Sequence, residues 1–572
     1  MQPQFDGFWF PAAVRDAILI PDKAFELLHF KGGMPVPEGD DDTVTVRWPR
    51  LSLDEWKQVL GILKQNQQDA QRENWRERLP QAMHRMQAVW TDRLNALRHG
   101  VLEALETCTG HSVGMLNVAL TLLELISIDD LQQAASCRFT QEVKHRFVNY
   151  NGMVGKVRFF GEDRWSSAIA QGLTHLRGYR DRSWPLRQRP AELILGYAAG
   201  NVPGTGLLLI LLGLTTAVGR GTPPPVILIK NSRNEPLFTP LVLAALAMID
   251  PALVNTTLVT IWDYTDTALQ EYLLSQADLV VAAASDETIQ DLSRAVRRVA
   301  TAAHPVRFHG HGHKVSFSTV GRECLQTGRT LPGESIPLVD AVALLASLDA
   351  ALWNQQGCLS SRVHFVEQAD DSQYYSPEVY GQAVVRSLRA LNEAMPKGIT
   401  RRRQIHNLFD KYQAATAGGL VQILSDYDDD FLVVLEQRDL TTDQFKELVN
   451  DCQGRTVAIV PVDDVMAVPQ RYLRQVHREH LQSMSVALGE PDRPGIDPRL
   501  LRYAEALGAV GITSIRTVGR GAFPQLAYSW DGLLPLDLTA ERPRGHFTAL
   551  EFDQPWAQIQ QTYRLIRQAM NG

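Results

Sequence analysis

Residues 191–204 read AELILGYAAGNVPG, and TGLLLILLGLTTAVG follows at 205–219. The first run is a strand that breaks into a loop of small residues, and the second is an apolar helix. The pattern then repeats. PPPVILIKNS (223–232) is a Pro-rich turn and a strand, and EPLFTPLVLAALAMID (235–250) is a helix. TTLVTIWDY (256–264) and DLVVAAAS (278–285) read as strands, followed by the helices TALQEYLLSQA (267–277) and DETIQDLSRAVRRVA (286–300), respectively. Short β-rich runs alternating with helical ones predict a parallel, doubly wound sheet, hence an α/β fold. Such sheets bind ligands at the carboxyl ends of their strands.

Working outward, 572 residues suffice for two to four domains. The net charge of −7 offers no basic field, so nucleic acid is not an expected partner. Five scattered cysteines, with no CxxC pair and no zinc spacing, favour a reducing compartment. The N-terminal run lacks a basic head before an apolar core, so no signal peptide is read. Leu207–Leu214 is the most apolar run and is too short for the roughly 20 residues of a membrane span. The expected location is the cytoplasm.

Residues 1 to about 50 mix strand-like runs with turn signals, TVTVRW (43–48) being the clearest strand. Ser52, three residues before Glu55, starts a helix in the manner of a capping box. Charged amphipathic helices follow to about Gly100, interrupted at Pro80, and suit solvated scaffold, an oligomer face or a docking surface. Residues 101–180 read as mainly helical. Beyond Pro337 come further helices and the strands DFLVVLEQ and GRTVAIVPV, then a Gly-rich aromatic run near the C-terminus.

Cys358 stands out in WNQQGC (353–358), with amides upstream, Gly357 before it and the β-rich run 362–366 after it. That setting presents a thiol at a loop edge, as a nucleophile needs. A buried structural thiol fits the same residues. No GxGxxG follows any strand. Lys230, Ser232 and Arg233 sit together at a strand's carboxyl end and suit a ribose bearing a phosphate, though a solvated loop fits them too. Ser285 begins a helix whose free N–H groups suit a pyrophosphate, and simple N-capping explains it equally. His309, His311 and His313 alternate, but nothing nearby completes a metal site. His309 or His311 is a candidate acid toward a departing alkoxide or thiol.

AAGNVPG (198–204), LIKNSRNEPL (228–237), AAASDE (282–287) and WNQQGC (353–358) occur in that order. As a set they resemble the landmarks of the aldehyde dehydrogenase superfamily. They are most similar to its LuxC-type acyl-CoA reductase branch, the fatty acyl reductases of bacterial bioluminescence. TVGRGAFPQLAYSWDG (517–532) resembles that branch's ending. The similarity runs roughly from Pro190 to Leu536.

The resemblance implies that Cys358 accepts the acyl group. It implies that Asn201 and the Cys358 N–H form an oxyanion hole. Lys230 resembles the lysine at the adenosine ribose, and Ser285 the serine at the pyrophosphate helix. Arg233 falls where NAD-preferring members often carry a glutamate, which favours NADPH. Acid-forming relatives have a Glu-Leu-Gly-Gly-Lys segment. Anchored on Lys314, its glutamate falls on Gly310, so an acyl-enzyme here escapes hydrolysis and awaits hydride.

The expected fold is aldehyde dehydrogenase-like. A mainly helical N-terminal region that supports oligomerisation (1–184) precedes a Rossmann-type NADP(H)-binding domain (185–335). An α/β catalytic domain (336–505) and a C-terminal segment packing back on the core (506–572) follow. The expected reaction reduces an acyl thioester, from acyl-CoA or an acyl-carrier or acyl-protein donor, to the fatty aldehyde, with an acyl-protein synthetase as a candidate partner. An oxidative, acyl-CoA-forming direction and a silent scaffold in a biosynthetic complex are the alternatives.

Overall fold

A computed structural model of the chain describes residues 4–38, 40 and 43–70, seven positions between 78 and 88, and residues 96–122. It further describes 143–150, 153–159, 191–218 and 223–571, apart from 370, 399–401, 524–530, 532–546 and 553. The interruption read at Pro80 and the proposed boundary at 184/185 lie outside the described residues. Among them, no helix is long and apolar enough to cross a membrane.

The four strands read in the alternating stretch form one sheet, with a fifth at its edge that the sequence reading did not include. They are β7 (Leu193–Tyr197), β8 (Val226–Lys230), β9 (Thr257–Thr260), β10 (Leu279–Ala283) and β11 (Arg307–His311). Their order is β11-β10-β7-β8-β9, all parallel. The intervening helices, Thr205–Val218, Phe238–Ile249, Thr267–Gln276 and Asp286–Val299, fall where the apolar periodicity puts them. Order reverses between β7 and β10, so their carboxyl ends open a crevice.

A small sheet precedes this unit, of β1 (Gln4–Asp6), β2 (Phe25–Lys31), β3 (Met34–Val36) and β4 (Val44–Pro49), in the order β1-β4-β2-β3. Trp9 joins it to the edge of the five-stranded sheet by exchanging backbone hydrogen bonds with Val259 at 2.8 and 3.0 Å. The helix Leu53–Asp69 starts at Ser52 with both arms of a capping box formed to Glu55. Helices α1 (Ala96–Thr109) and α2 (Val113–Leu122) follow.

The third sheet has ten strands. Its parallel centre is β16 (Thr456–Val462), β13 (Ser361–Glu367), β12 (Val315–Val320), β17 (Leu481–Ala487) and β18 (Ser514–Thr517). One edge adds β15 (Leu432–Glu436) and β14 (Val421–Ile423). The other adds β19 (Phe547–Leu550), β5 (Val143–Tyr150) and β6 (Met153–Phe159). The helical reading of 101–180 is therefore corrected at 143–150 and 153–159, where two antiparallel strands extend the ten-stranded sheet. Their signal was present, since VKHRFVNY and MVGKVRF flank an Asn-Gly pair. The chain passes from one sheet to the other between His311 and Val315, ahead of residue 335. The segment after 505 supplies β18 and β19 to the ten-stranded sheet.

Candidate active site

Helix α3 (Leu338–Ala351) is apolar nearly all round and buried along its length, so its end is a rigid platform. After Leu352, which is extended, three residues form a left-handed turn, with φ of 57° at Trp353, 51° at Asn354 and 57° at Gln355. None is glycine, and each left-handed residue costs about 1–2 kcal/mol. Side-chain bonds hold the turn. Asn354 Nδ2 donates to the Lys397 carbonyl at 3.0 Å, and Arg455 Nε donates to Asn354 Oδ1 at 2.9 Å. Gln355 Nε2 donates to the carbonyls of Ser361 and Thr456, and Gln355 Oε1 accepts from the Thr456 N–H. Arg455 is buried and also donates to Asn392 and to the Met395 carbonyl.

This turn delivers Cys358 at its far end. The Cys358 carbonyl accepts from Ser316 Oγ at 2.8 Å, and Ser316 Oγ accepts from Ser483 Oγ at 2.8 Å. The loop is thereby tied to β12 and β17. From the other sheet, the loop after β7 brings Asn201, whose Nδ2 donates to the Gln356 carbonyl at 2.5 Å. The two loops touch, because a Cβ on Gly357 would lie 3.4 Å from Val202 Cγ2. Behind them His111, between α1 and α2, packs edge-on against Trp353 at 5.3 Å and hydrogen-bonds the Asn201 backbone. Burial pushes the His111 imidazole down to about 4, so it acts as a neutral donor.

Cys358 opens into a cavity of about 1160 Å³ where the two sheets meet. One side is apolar, with Leu105, Leu116 and Ala119 from α1 and α2 facing Leu208, Phe238 and Phe523. The polar end holds Cys358, Asn201, His311, Gln482, Arg516 and Asp531. His311 Nδ1 lies 2.6 Å from Asp531 Oδ2, and Gln482 Nε2 donates to Asp531 Oδ1 at 2.7 Å. Although burial opposes it, these partners, with Lys314 nearby, hold the Asp531 carboxyl down at about 2. The Cys358 thiol is pushed up to about 11, chiefly by burial and then by the Asp531 charge, with Gln482 and Arg516 pulling the other way. Arg516 is itself paired with Glu551 at 2.8 Å, which blunts its effect.

Of the residues singled out from sequence, Cys358, Asn201, His311, Ser232 and Ser285 line this one cavity. Lys230 and Arg233 stand outside its lining, at the end of β8. Lys230 is half-buried, lies 5.9 Å from the Trp262 ring centroid and is drawn down to about 8 by burial and then by Arg233. It has no ion-pair partner among the described residues. Arg233 lies 3.7 Å from Glu26, a carboxylate brought in by β2. Ser232 packs so closely on Gly200 that a Cβ there would sit 2.1 Å from its Oγ. Ser285 caps its own helix through the Thr288 N–H.

His309 is buried away from the lining, its imidazole pushed down to about 4 by burial and the neighbouring His311 and Arg307. That placement leaves His311 as the acid–base candidate. Gly310 faces the helix Asp286–Val299, where a Cβ would come within 2.5 Å of Ile289 Cγ2. A side chain there would have to displace the side chains of Ile289 and Phe308. Among the described residues, no group of three or more His, Cys, Asp or Glu side chains is arranged to hold a metal ion. Sequence reasoning missed Asp531, Gln482 and the Asn354–Arg455 and Gln355–Thr456 contacts. Only Asp531 carried a signal, at the end of the Gly-rich aromatic run.

Residues 176–541 match the profile of the acyl-CoA reductase (LuxC) family. The chain belongs to that family. It is an acyl-CoA reductase, an aldehyde-forming oxidoreductase. Its fold is that of aldehyde dehydrogenases. Aldehyde dehydrogenase 21 from Physcomitrella patens, solved with the reaction product succinate, superposes with a TM-score of 0.51 at 9% identity, over 89% of this chain and 93% of that one. A NAD-dependent benzaldehyde dehydrogenase from Corynebacterium glutamicum gives 0.49 at 15% identity, over 84% and 92%. No curated protein sequence matches the chain.

Proposed function

We propose that this acyl-CoA reductase forms a thioester on Cys358 and reduces it to the aldehyde with NADPH. One observation carries the reading. Cys358 opens into a cavity with apolar lining, while the position that the resemblance matches to the water-activating glutamate of acid-forming relatives is Gly310, which has no carboxylate to offer.

The residues divide the work. The thiol at about 11 is almost wholly protonated at neutral pH, so it needs a base. His311, in the same cavity, takes that proton. The thiolate attacks the acyl carbon and the donor thiol leaves. Asn201 has two amide N–H groups, of which one is bonded to Gln356. The other, with the Cys358 N–H, faces the oxyanion. The apolar lining from α1 and α2 suits a long acyl chain, hence a fatty aldehyde. An acyl-CoA, acyl-carrier or acyl-protein donor fits equally, and an acyl-protein synthetase and a second copy of the chain are proposed partners.

The end of β8 fits a phosphorylated dinucleotide. Lys230 is a half-buried ammonium with no ion-pair partner among the described residues, beside the hydroxyl of Ser232 and the guanidinium of Arg233. Ser285 stands at the helix end proposed for the pyrophosphate. A bound NADPH supplies the hydride that the acyl carbon accepts. Supplying acyl-CoA with NADPH or NADH and assaying aldehyde tests the proposal. Aldehyde with NADPH is the expected result, and acid as the sole product contradicts it.

A further inference from the structure

We infer that Asp531 is a positioning residue that fixes His311 as the proton carrier for Cys358. The inference rests on the acyl-enzyme reading above and names a residue that the reading does not need.

Asp531 is buried, at 8% exposure, and held in the left-handed region at φ 49°. Burial disfavours the charge of an aspartate, so its carboxylate needs partners there, while the left-handed backbone is one that Asp adopts more readily than most L-residues. Donors among the described residues hold the carboxylate, Gln482 Nε2–H on Oδ1 at 2.7 Å and His311 Nδ1–H on Oδ2 at 2.6 Å. A carboxylate on Nδ1 sets the tautomer and leaves proton exchange to Nε2. His311 ends β11 in the five-stranded sheet and Gln482 lies on β17 in the ten-stranded one, so Asp531, from the C-terminal run, bridges side chains of the two sheets at the cavity wall.

The position of Asp531 also carries a cost. Its negative charge lies near enough to Cys358 to oppose ionisation of the thiol. An anion beside a nucleophile hinders it unless the same anion serves the base. Among the described residues, the charged and titratable groups around the pair include Lys314, Arg362, Arg516 with Glu551, and His309 with Arg307 on β11. Arg516 is neutralised by Glu551, and Lys314 Nζ donates to the Glu479 carbonyl. His309 is buried away from the cavity lining.

The step balances without an outside acid. As the Cys358 sulfur bonds to the acyl carbon, His311 Nε2 takes the thiol proton. When the bond from acyl carbon to donor sulfur breaks, the same proton goes to the departing sulfur. No electrons change hands in this half-reaction.

Two readouts on the full chain separate positioning from plain charge. One is the pH dependence of Cys358 alkylation by iodoacetamide, mapped by peptide. The other is the rate of acyl-Cys358 formation from octanoyl-CoA without reductant, read by intact mass. Asp531→Asn is expected to alkylate at lower pH than the wild type, because a negative charge has gone. It is expected to acylate about 100-fold more slowly, the scale of general acid–base catalysis. His311→Gln is expected to match that acylation loss, and the double variant to be no slower than His311→Gln. Asp531→Glu keeps the charge but shifts the carboxylate, and is expected to hold the high thiol pKa while losing acylation rate. Wild-type acylation rates in Asp531→Asn, or in Asp531→Glu should the Asn variant not fold, overturn the inference alone. Wild-type enzyme that forms no acyl-Cys358 overturns the acyl-enzyme reading together with it.

Discussion

Gln355 pairs with Thr456 as one strand pairs with another. Its side-chain oxygen accepts from the Thr456 N–H at 2.8 Å and its amide nitrogen donates to the Thr456 carbonyl at 2.8 Å. The same nitrogen reaches the Ser361 carbonyl at 2.9 Å. Thr456 begins β16 and Ser361 begins β13, so one side chain stitches the starts of two neighbouring strands. It does so from a backbone wound the wrong way for an L-residue. The Cys358 loop is held by this stitch, with the Asn354–Arg455 bond beside it.

Gln355→Ala leaves the Thr456 N–H and two carbonyls unpaired in a buried place. The expected loss is at least about 3 kcal/mol, since three buried groups lose this partner and each left unsatisfied costs about 1–3 kcal/mol. Urea unfolding measures it. Acylation of Cys358 is expected to fall at least about tenfold even where the variant is folded, because a misplacement near 1 Å weakens an attack geometry severely. Wild-type acylation in a folded Gln355→Ala would show that the turn does not position the thiol.

The alternating stretch was legible because each element there is set by local pattern. Val226–Lys230 is a β-branched apolar run between a Pro-rich turn and a polar loop, and it folds as read. The strands at 143–150 and 153–159 were missed although the Asn-Gly signal between them is plain, because they carry enough charge to pass for helix. The site was legible only in part. Cys358 and Asn201 sit in short motifs, whereas Asp531 meets His311 across 220 positions. Periodicity carries no information about a contact that distant. The left-handed turn was equally hidden, since Trp-Asn-Gln has no conformational preference that announces it.

Cofactor choice is expected to follow Arg233. Arg233→Glu places a carboxylate beside Glu26 and faces a 2′-phosphate with two negative charges. The ratio of kcat/KM for NADPH over NADH is expected to fall at least about tenfold, near 1.4 kcal/mol. An unchanged ratio would place the 2′-phosphate elsewhere.

Ala119→Phe is expected to shorten the apolar end of the cavity. Ala119 is buried on α2 and lines the space. With tetradecanoyl-CoA the activity should drop steeply, and with butyryl-CoA it should stay within about threefold, since overpacking itself costs only about 1–3 kcal/mol. Equal losses on both substrates would mean that the chain lies elsewhere.

Stability at low pH is expected to report Asp531. Its folded pKa, about 2, lies below its ordinary value of 3.8, so the unfolded chain binds more protons between those values. The stability that this group contributes is full above about pH 4 and disappears as pH falls toward 2. The difference in urea midpoint between wild type and Asp531→Asn should therefore shrink as pH falls from about 5 to 3. A gap independent of pH would show that the carboxylate is not held as an anion.

The acyl-enzyme is the centre of the account, and the mass of the intact protein after incubation with acyl-CoA in the absence of reductant tests it most directly. The account predicts one acyl adduct, mapped to Cys358, that is discharged as aldehyde when NADPH is added, and no adduct and no aldehyde from Cys358→Ala. A Cys358→Ala protein that still produces aldehyde at the wild-type rate, or an adduct mapped to another residue, would contradict it.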